Sequence, residues 1–402
     1  MSRRHDLDWV RVSAFGLLVL YHVGMYYVTW DWHVKSPAAS PALEPFMLLT
    51  GPWRLALLFL VSGVASAYLL EKRSTRFLAE RSRRLLVPLL FGMAVIVAPQ
   101  AYYEVVEKLP GGYHDGFLAF YGRYLAADGS FCRGDDCLVL PTWNHLWFLA
   151  YLWVYTGLVW IALRVAGPAK VARARASLER RLAGAAAVVV PMLVLAGVRV
   201  LLVGRFEPTH ALVDDWYNHA QYFPVFVLGF LLARAEAFWT ALERYRWHAV
   251  SLAVPTCAAL VWYFWWAGFS DANPPPELAR YVQRVLWGVN EWAAIVAVLG
   301  FAYRFRNFDS RALRYLVPAV LPVYILHQTV IVVLAHNLQR FAIPPVIEGA
   351  FLLIATFVAC FAGYEAVRRV PWLRPLFGLK RPTAAPLVLA ASPCCAAPPR
   401  SR

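Results

Sequence analysis

Stretches of about twenty mostly apolar residues recur along this chain, and no other feature limits its fold so tightly. In hydrocarbon every backbone N–H and C=O needs an internal partner, so such stretches cross a bilayer as helices. Ten spans are expected, at about 10–30, 54–71, 85–103, 145–164, 183–203, 221–235, 249–268, 285–303, 315–336 and 346–367. The sixth, Tyr222 to Ala235, is short for a full crossing. Composition agrees: 60% of the 402 residues are hydrophobic and 16% are charged, against about 25% charged in globular domains. The expected fold class is all-α, a polytopic membrane protein of about ten transmembrane helices. No cleavable signal peptide is expected, because the first apolar segment is long and ends without a small-residue cleavage site.

A net charge of +15 raises the question of a nucleic-acid partner. The placement of the charge answers it. With the N-terminus cytoplasmic, the inner segments hold 28 Lys or Arg and the outer loops hold 8, in strict alternation along the chain. That is the positive-inside pattern, with both termini cytoplasmic. The basicity orients the protein in its membrane, and no nucleic-acid partner is expected. Cys132 and Cys137 fall in the long outer loop, where an oxidising compartment permits a disulfide, the alternative being two free thiols. Cys257 and Cys360 read as packing residues within spans. Cys394 and Cys395 lie in an Ala/Pro-rich tail expected to be disordered. Internal repeats, a nucleotide-binding glycine loop, a zinc signature and a nucleophile elbow are not evident, and no metal is expected.

The first span, Asp8 to Tyr27, carries two ionisable groups, Arg11 and His22. Eleven residues of helix leave them about 20° apart around the axis and about 16 Å apart along it. One face thus presents a permanent cation near the inner surface and an imidazole towards the outer one. Ionisable groups inside a span are costly and are read as functional unless they snorkel or bond a neighbouring helix. Further polar residues gather at the outer depth: Asn144 and His145 entering the fourth span, Asn290 and Glu291 in the eighth, His327 and Gln328 in the ninth. The outer loop at 207–222 adds Glu207, Asp214, Asp215, Asn218 and His219. Glu291, a carboxylate in a span, needs a partner or a proton. On the inner surface Arg81 and Arg84 stand in an R-x-x-R spacing. They read either as topogenic charge or as a bidentate phosphate clamp.

The R-x10-H of Arg11 and His22, the second-span WRLALLFLVSGVASAYLL, the R-x-x-R and the later PVYILHQTVI, taken in order, resemble the acyltransferase 3 family. LDWVRVSAFGLLVLYHVGM and NHLWFLAYL look most like its glucans biosynthesis protein C branch. The resemblance covers about residues 5–370, leaving 371–402 as a cytoplasmic tail. It implies a multi-pass enzyme of the cytoplasmic (inner) membrane. Such an enzyme moves an acyl group, acetyl or succinyl, from cytoplasmic acyl-CoA to a hydroxyl of a periplasmic or surface glycan. Acyl-CoA, membrane lipid and the glycan are then the partners. In that reading His22 is the general base, since imidazole titrates near neutrality, and His145 and His327 are the other candidates. Glu291 orients or balances the base, and Arg11, Arg81 and Arg84 hold the CoA phosphates. Ser62, before Gly63, reads as a packing contact. The competing class is a transporter or flippase for an acyl donor or lipid-linked glycan, without chemistry. A sensor is a third class, but no cytoplasmic output domain supports it.

Overall fold

The computed structural model describes residues 4–72 and 75–381; Cys394, Cys395 and most of the tail lie outside them. Helix α1 (His5–Tyr27) runs unbroken, and a loop carrying α2 (Glu44–Leu48) leads to α3 (Arg54–Lys72). Then α4 (Phe77–Phe91), a π-helical turn (Gly92–Ile96) and α5 (Ala98–Lys108) form one long rod. Outside the membrane lie α6 (Phe117–Leu125) and a small hairpin, β1 (Cys132–Arg133) and β2 (Asp136–Cys137). A 3₁₀ turn at Asn144–Leu146 opens α7 (Trp147–Ala166), which α8 (Pro168–Arg181) and α9 (Ala186–Leu202) follow. The remaining helices are α10 (Trp216–Leu231), α11 (Glu236–Val261), α12 (Glu277–Arg304), α13 (Arg311–Leu338) and α14 (Pro345–Arg369).

Every expected span coincides with a helix. Eight helical segments among the described residues are long and apolar enough to cross a membrane. The other two are shorter: α9 has 17 residues and α10 has 16. Helices α8 and α9 are bent by 101° at their junction. None of the basic residues of α8 is buried, as expected for a helix lying along the inner surface. The ordered unit also runs past residue 370. Arg374–Phe377 form a 3₁₀ turn whose Phe377 is buried against Phe91 of α4.

Glycines set the closest helix crossings. A Cβ on Gly63 would sit 2.1 Å from the Phe226 carbonyl oxygen, and one on Gly229 2.2 Å from that of Leu60. Helices α3 and α10 therefore meet backbone to backbone, the small-residue packing available where lipid supplies no hydrophobic force. The same residues explain the Ser62–Gly63 pair as a crossing point. Helix α1 lies in a seam. Leu7, Val10, Ala14 and Leu18 on its inner half join the main core. Val19, Val23, Tyr26 and Tyr27 on its outer half join a second core built with α13 and α14. The expected disulfide is present: Cys132 and Cys137 are bridged and pair across the hairpin. Cys360 is buried in the second core, whereas Cys257 is only half-buried.

Candidate active site

Three of the four predicted catalytic residues meet at the outer end of α1. His22 Nδ1 lies 2.7 Å from His327 Nε2, and the two rings stack with centroids 5.0 Å apart. His327 Nδ1 is 2.7 Å from the Tyr324 carbonyl oxygen, one turn back on α13. A carbonyl only accepts, so Nδ1 of His327 carries its proton and Nε2 keeps its lone pair. His22 must then donate from Nδ1, which leaves the lone pair of His22 on Nε2, with no hydrogen-bond partner among the described residues. His145 stands edge-on to His327 at 5.1 Å. Its Nε2–H is shared between the carbonyls of Tyr324 (3.1 Å) and Ile325 (3.2 Å), and the Tyr324 hydroxyl donates to the His145 carbonyl.

Local sequence explains these positions. Tyr324, His327, Gln328 and Ile331 follow i, i+3, i+4, i+7 and share the buried face of α13. The 3₁₀ turn bearing His145 approaches α4 because residue 92 is glycine. A Cβ there would lie 2.3 Å from a methyl of Leu146. Pro99 lacks an N–H and interrupts the regular helical ladder. Carbonyls of the π turn are taken by side chains instead: Met93 by Tyr124 (2.6 Å), Ala94 by Tyr121 (3.0 Å) and Ile96 by Thr329 (2.7 Å).

A polar network that sequence reasoning missed backs the histidines. Fully buried Gln100 accepts from Asn144 and Gln328, both at 3.0 Å, and donates to Thr329 at 2.6 Å. Gln328 also donates to His33 Nε2 at 2.8 Å, and His33 Nδ1 donates to Glu104 at 2.5 Å. Lys108 completes the chain between Glu104 (3.4 Å) and Asp31 (2.8 Å). His33 lies in the loop after α1. The signal that would have found it is a histidine a few residues beyond a span, at the depth where other polar groups collect.

Glu291 is held elsewhere than expected. Its carboxylate accepts from Gln221 of α10, with the charge of Arg199 nearby, while His22 is oriented by His327. The buried Asp215 is a loop staple, accepting from the Thr209 and His210 amides, Asn218 and Tyr151. His219 is spent in the same way, bonded to Tyr155 (2.9 Å) and the Leu212 carbonyl (2.7 Å). Burial lowers the pKa of His210 in this loop.

At the inner end of α1 a cleft of about 330 Å³ is lined by Arg4, Asp8, Arg11, Tyr68, Lys72 and Arg234 among others. Arg11 pairs with Asp8 at 3.0 Å, Arg4 forks onto Asp6, and Arg234 binds Glu71. Even so, four basic side chains face one acidic one in the lining. Arg81 and Arg84 do not line the cleft, though the charge of Arg11 reaches both. Arg81 is buried, with Nη2 3.5 Å from Thr156 of α7, whereas Arg84 is exposed. The two therefore do not form one symmetric clamp. Arg4, Lys72 and Arg234 are the inner residues the sequence did not single out. Among the described residues no group of three or more His, Cys, Asp or Glu side chains is placed to hold a metal ion.

Comparison with known proteins identifies the family of the chain. Residues 4–365 match the acyltransferase 3 family model, described as an acyltransferase domain. Glucans biosynthesis protein C of Salmonella schwarzengrund (strain CVM19633) is 25% identical over 396 residues, covering 94% of this chain and 96% of the relative. The protein of that name from Escherichia coli O1:K1 / APEC is 26% identical over 407 residues, covering 94% and 95%. No solved structure matches the chain. With the match running through both ends of α1 and all the helices around it, this chain belongs to the acyltransferase 3 family of membrane acyltransferases.

Proposed function

We propose that the protein transfers an acetyl or succinyl group from cytoplasmic acyl-CoA to a hydroxyl of a glycan outside the cytoplasmic membrane. The relatives' name favours a glucan as acceptor. The observation that carries the reading is the state of His22. Its Nδ1–H is committed to His327, His327 is committed to a backbone carbonyl, and the remaining Nε2 lone pair is left for a substrate. This is the logic of an oriented general base, with a carbonyl in the orienting role.

The basic cleft at the other end of the same helix suits the phosphates of CoA, which stay inside while the pantetheine arm reaches along α1. His22 Nε2 takes the acceptor hydroxyl's proton as that oxygen bonds to the thioester carbonyl carbon. The C–S bond then breaks, and the CoA thiolate leaves with the proton from His22. The test is purified protein in liposomes with acyl-CoA on one side and an oligoglucan on the other. Release of free CoA thiol together with acylated glucan is expected. Movement of intact acyl donor across the bilayer without thiol release would make the protein a transporter.

A further inference from the structure

Arg54, the first residue of α3 at its outer end, is a buried cation with no carboxylate partner. Its side chain is 3% exposed. Nη1 donates to Thr50 Oγ1 at 2.8 Å, and the guanidinium lies over the Tyr21 ring, 3.9 Å from its centroid. Nε is buried with no hydrogen-bond partner. No ion pair to Arg54 exists among the described residues. A charge buried this deeply is normally paired, because removing an ion from water is costly unless a counter-charge or hydrogen bonds replace the water. His33–Glu104 and Lys108–Asp31 show such pairing at the outer side, whereas Arg199, half-buried at the outer end of α9, is held by the Tyr217 hydroxyl and the Trp287 ring without a carboxylate among the described residues.

Its location supplies the missing partner. Tyr21, against which Arg54 stacks, directly precedes His22, and the Tyr21 and His22 rings are 6.0 Å apart. The charge of Arg54 reaches the His22 imidazole. The charge of Arg54 also reaches Tyr222 of α10. The N-terminus of α3 adds its own partial positive charge to that of Arg54.

Resting on the acyl-transfer reading, we infer that Arg54 is a further catalytic residue whose unpartnered Nε–H binds the thioester oxygen as it becomes an oxyanion. As the acceptor oxygen bonds to the carbonyl carbon, the carbonyl π pair moves onto oxygen, and the new negative charge meets the buried guanidinium. When the pair returns, the C–S bond breaks and the thiolate departs. A cation that is unpaired in the ground state and paired in the transition state lowers the barrier without tightening substrate binding.

The test compares wild type with Arg54→Gln, Arg54→Ala and Arg54→Lys in the liposome assay, using acetyl-CoA and succinyl-CoA separately. Arg54→Gln is expected to lose about 100- to 1000-fold in kcat with both donors, while KM for each donor changes little. Arg54→Lys should recover part of the loss, and added guanidinium should partly restore Arg54→Ala. Unchanged kcat in Arg54→Gln with active wild type would overturn the inference while leaving acyl transfer standing. Loss confined to succinyl-CoA and expressed in KM would also overturn it, by making Arg54 a site for the donor's distal carboxylate. If all three variants lose donor binding together and guanidinium restores nothing, Arg54 is structural. A wild type that releases no thiol defeats both readings.

Discussion

The two ends of α1 solve opposite electrostatic problems. At the inner end, charges are many, paired at the rim and open to water: Arg11 with Asp8, Arg234 with Glu71, around a cleft of about 330 Å³. At the outer end, His22 and His327 share a neutral hydrogen bond, His145 packs edge-on against His327, and His327 and His145 donate to backbone carbonyls. An open basic surface attracts an anion strongly but sets its position loosely, and salt screens it. A hydrogen-bonded network of neutral groups attracts little but fixes one tautomer and one orientation. Under the proposed function, binding and chemistry fall to regions with different physics, and the difference can be tested.

The largest effect is expected at His22. His22→Gln keeps a hydrogen bond but cannot take the proton, so kcat should fall by about 10²–10⁴ with donor affinity retained. Near-normal turnover at matched protein levels would make His22 a packing residue and transfer the role of base to His145 or His327. His327→Phe keeps an aromatic ring but removes the group that fixes the tautomer of His22. About 10- to 100-fold loss in kcat is expected, the usual cost of removing an orienting partner.

Arg11→Ala should act on the other term, raising donor KM about tenfold, worth about 1.4 kcal/mol, with kcat at saturating donor unchanged. Raising salt from 50 mM to 500 mM should mimic it in wild type and should add little in the variant. A salt effect on kcat instead would erase the division of labour between the two ends.

The smallest effect concerns Lys35, in the loop after α1. Its Nζ donates to the carbonyls of Met25 (2.6 Å) and Trp30 (2.8 Å), closing the C-terminal turn of α1. Burial lowers its pKa from 10.5 to about 8. For a base depressed on folding, the unfolded chain holds more protons between about pH 8 and 10.5, so native stability should rise modestly with pH across that window. An amine-directed acylating reagent at pH 8, read by peptide mapping, should modify Lys35 ahead of the other four lysines of the chain. Equal rates at all five would refute it.

Much of this was legible in the sequence, for identifiable reasons. Apolar length set the helices, and loop charge set their direction, because both are summed over many residues. Arg11 and His22 were readable because one helix fixes their relation. Glu291 was misplaced because depth alone says nothing of azimuth. At the right height it faces Gln221 of α10 rather than α1. His33 escaped because it follows its span as a loop residue, and Gln100 because an amide carries no titration signal, though it organises three neighbours. Arg81 and Arg84 were read as a pair from spacing, but Thr156 on α7 draws one of them inward. Arg54 stands at a span end in the sequence, where nothing marks it out; only its burial and its unpartnered nitrogen do so.

That α1 is one uninterrupted helix makes it a yardstick. Under the proposed function, the donor's charged end and the point of reaction are referred to the same rigid rod, so tilting or sliding the helix carries both together and their spacing is preserved. Only a change within the rod itself alters that relation, through its length and its phase. One residue inserted between Arg11 and His22 would lengthen it by about 1.5 Å but swing the imidazole about 100° away from α13. Four inserted residues would bring the face nearly back into phase and leave the rod about 6 Å too long. Activity against insertion length should therefore be periodic rather than graded. Any recovery at four residues should favour donors with an arm correspondingly longer than pantetheine.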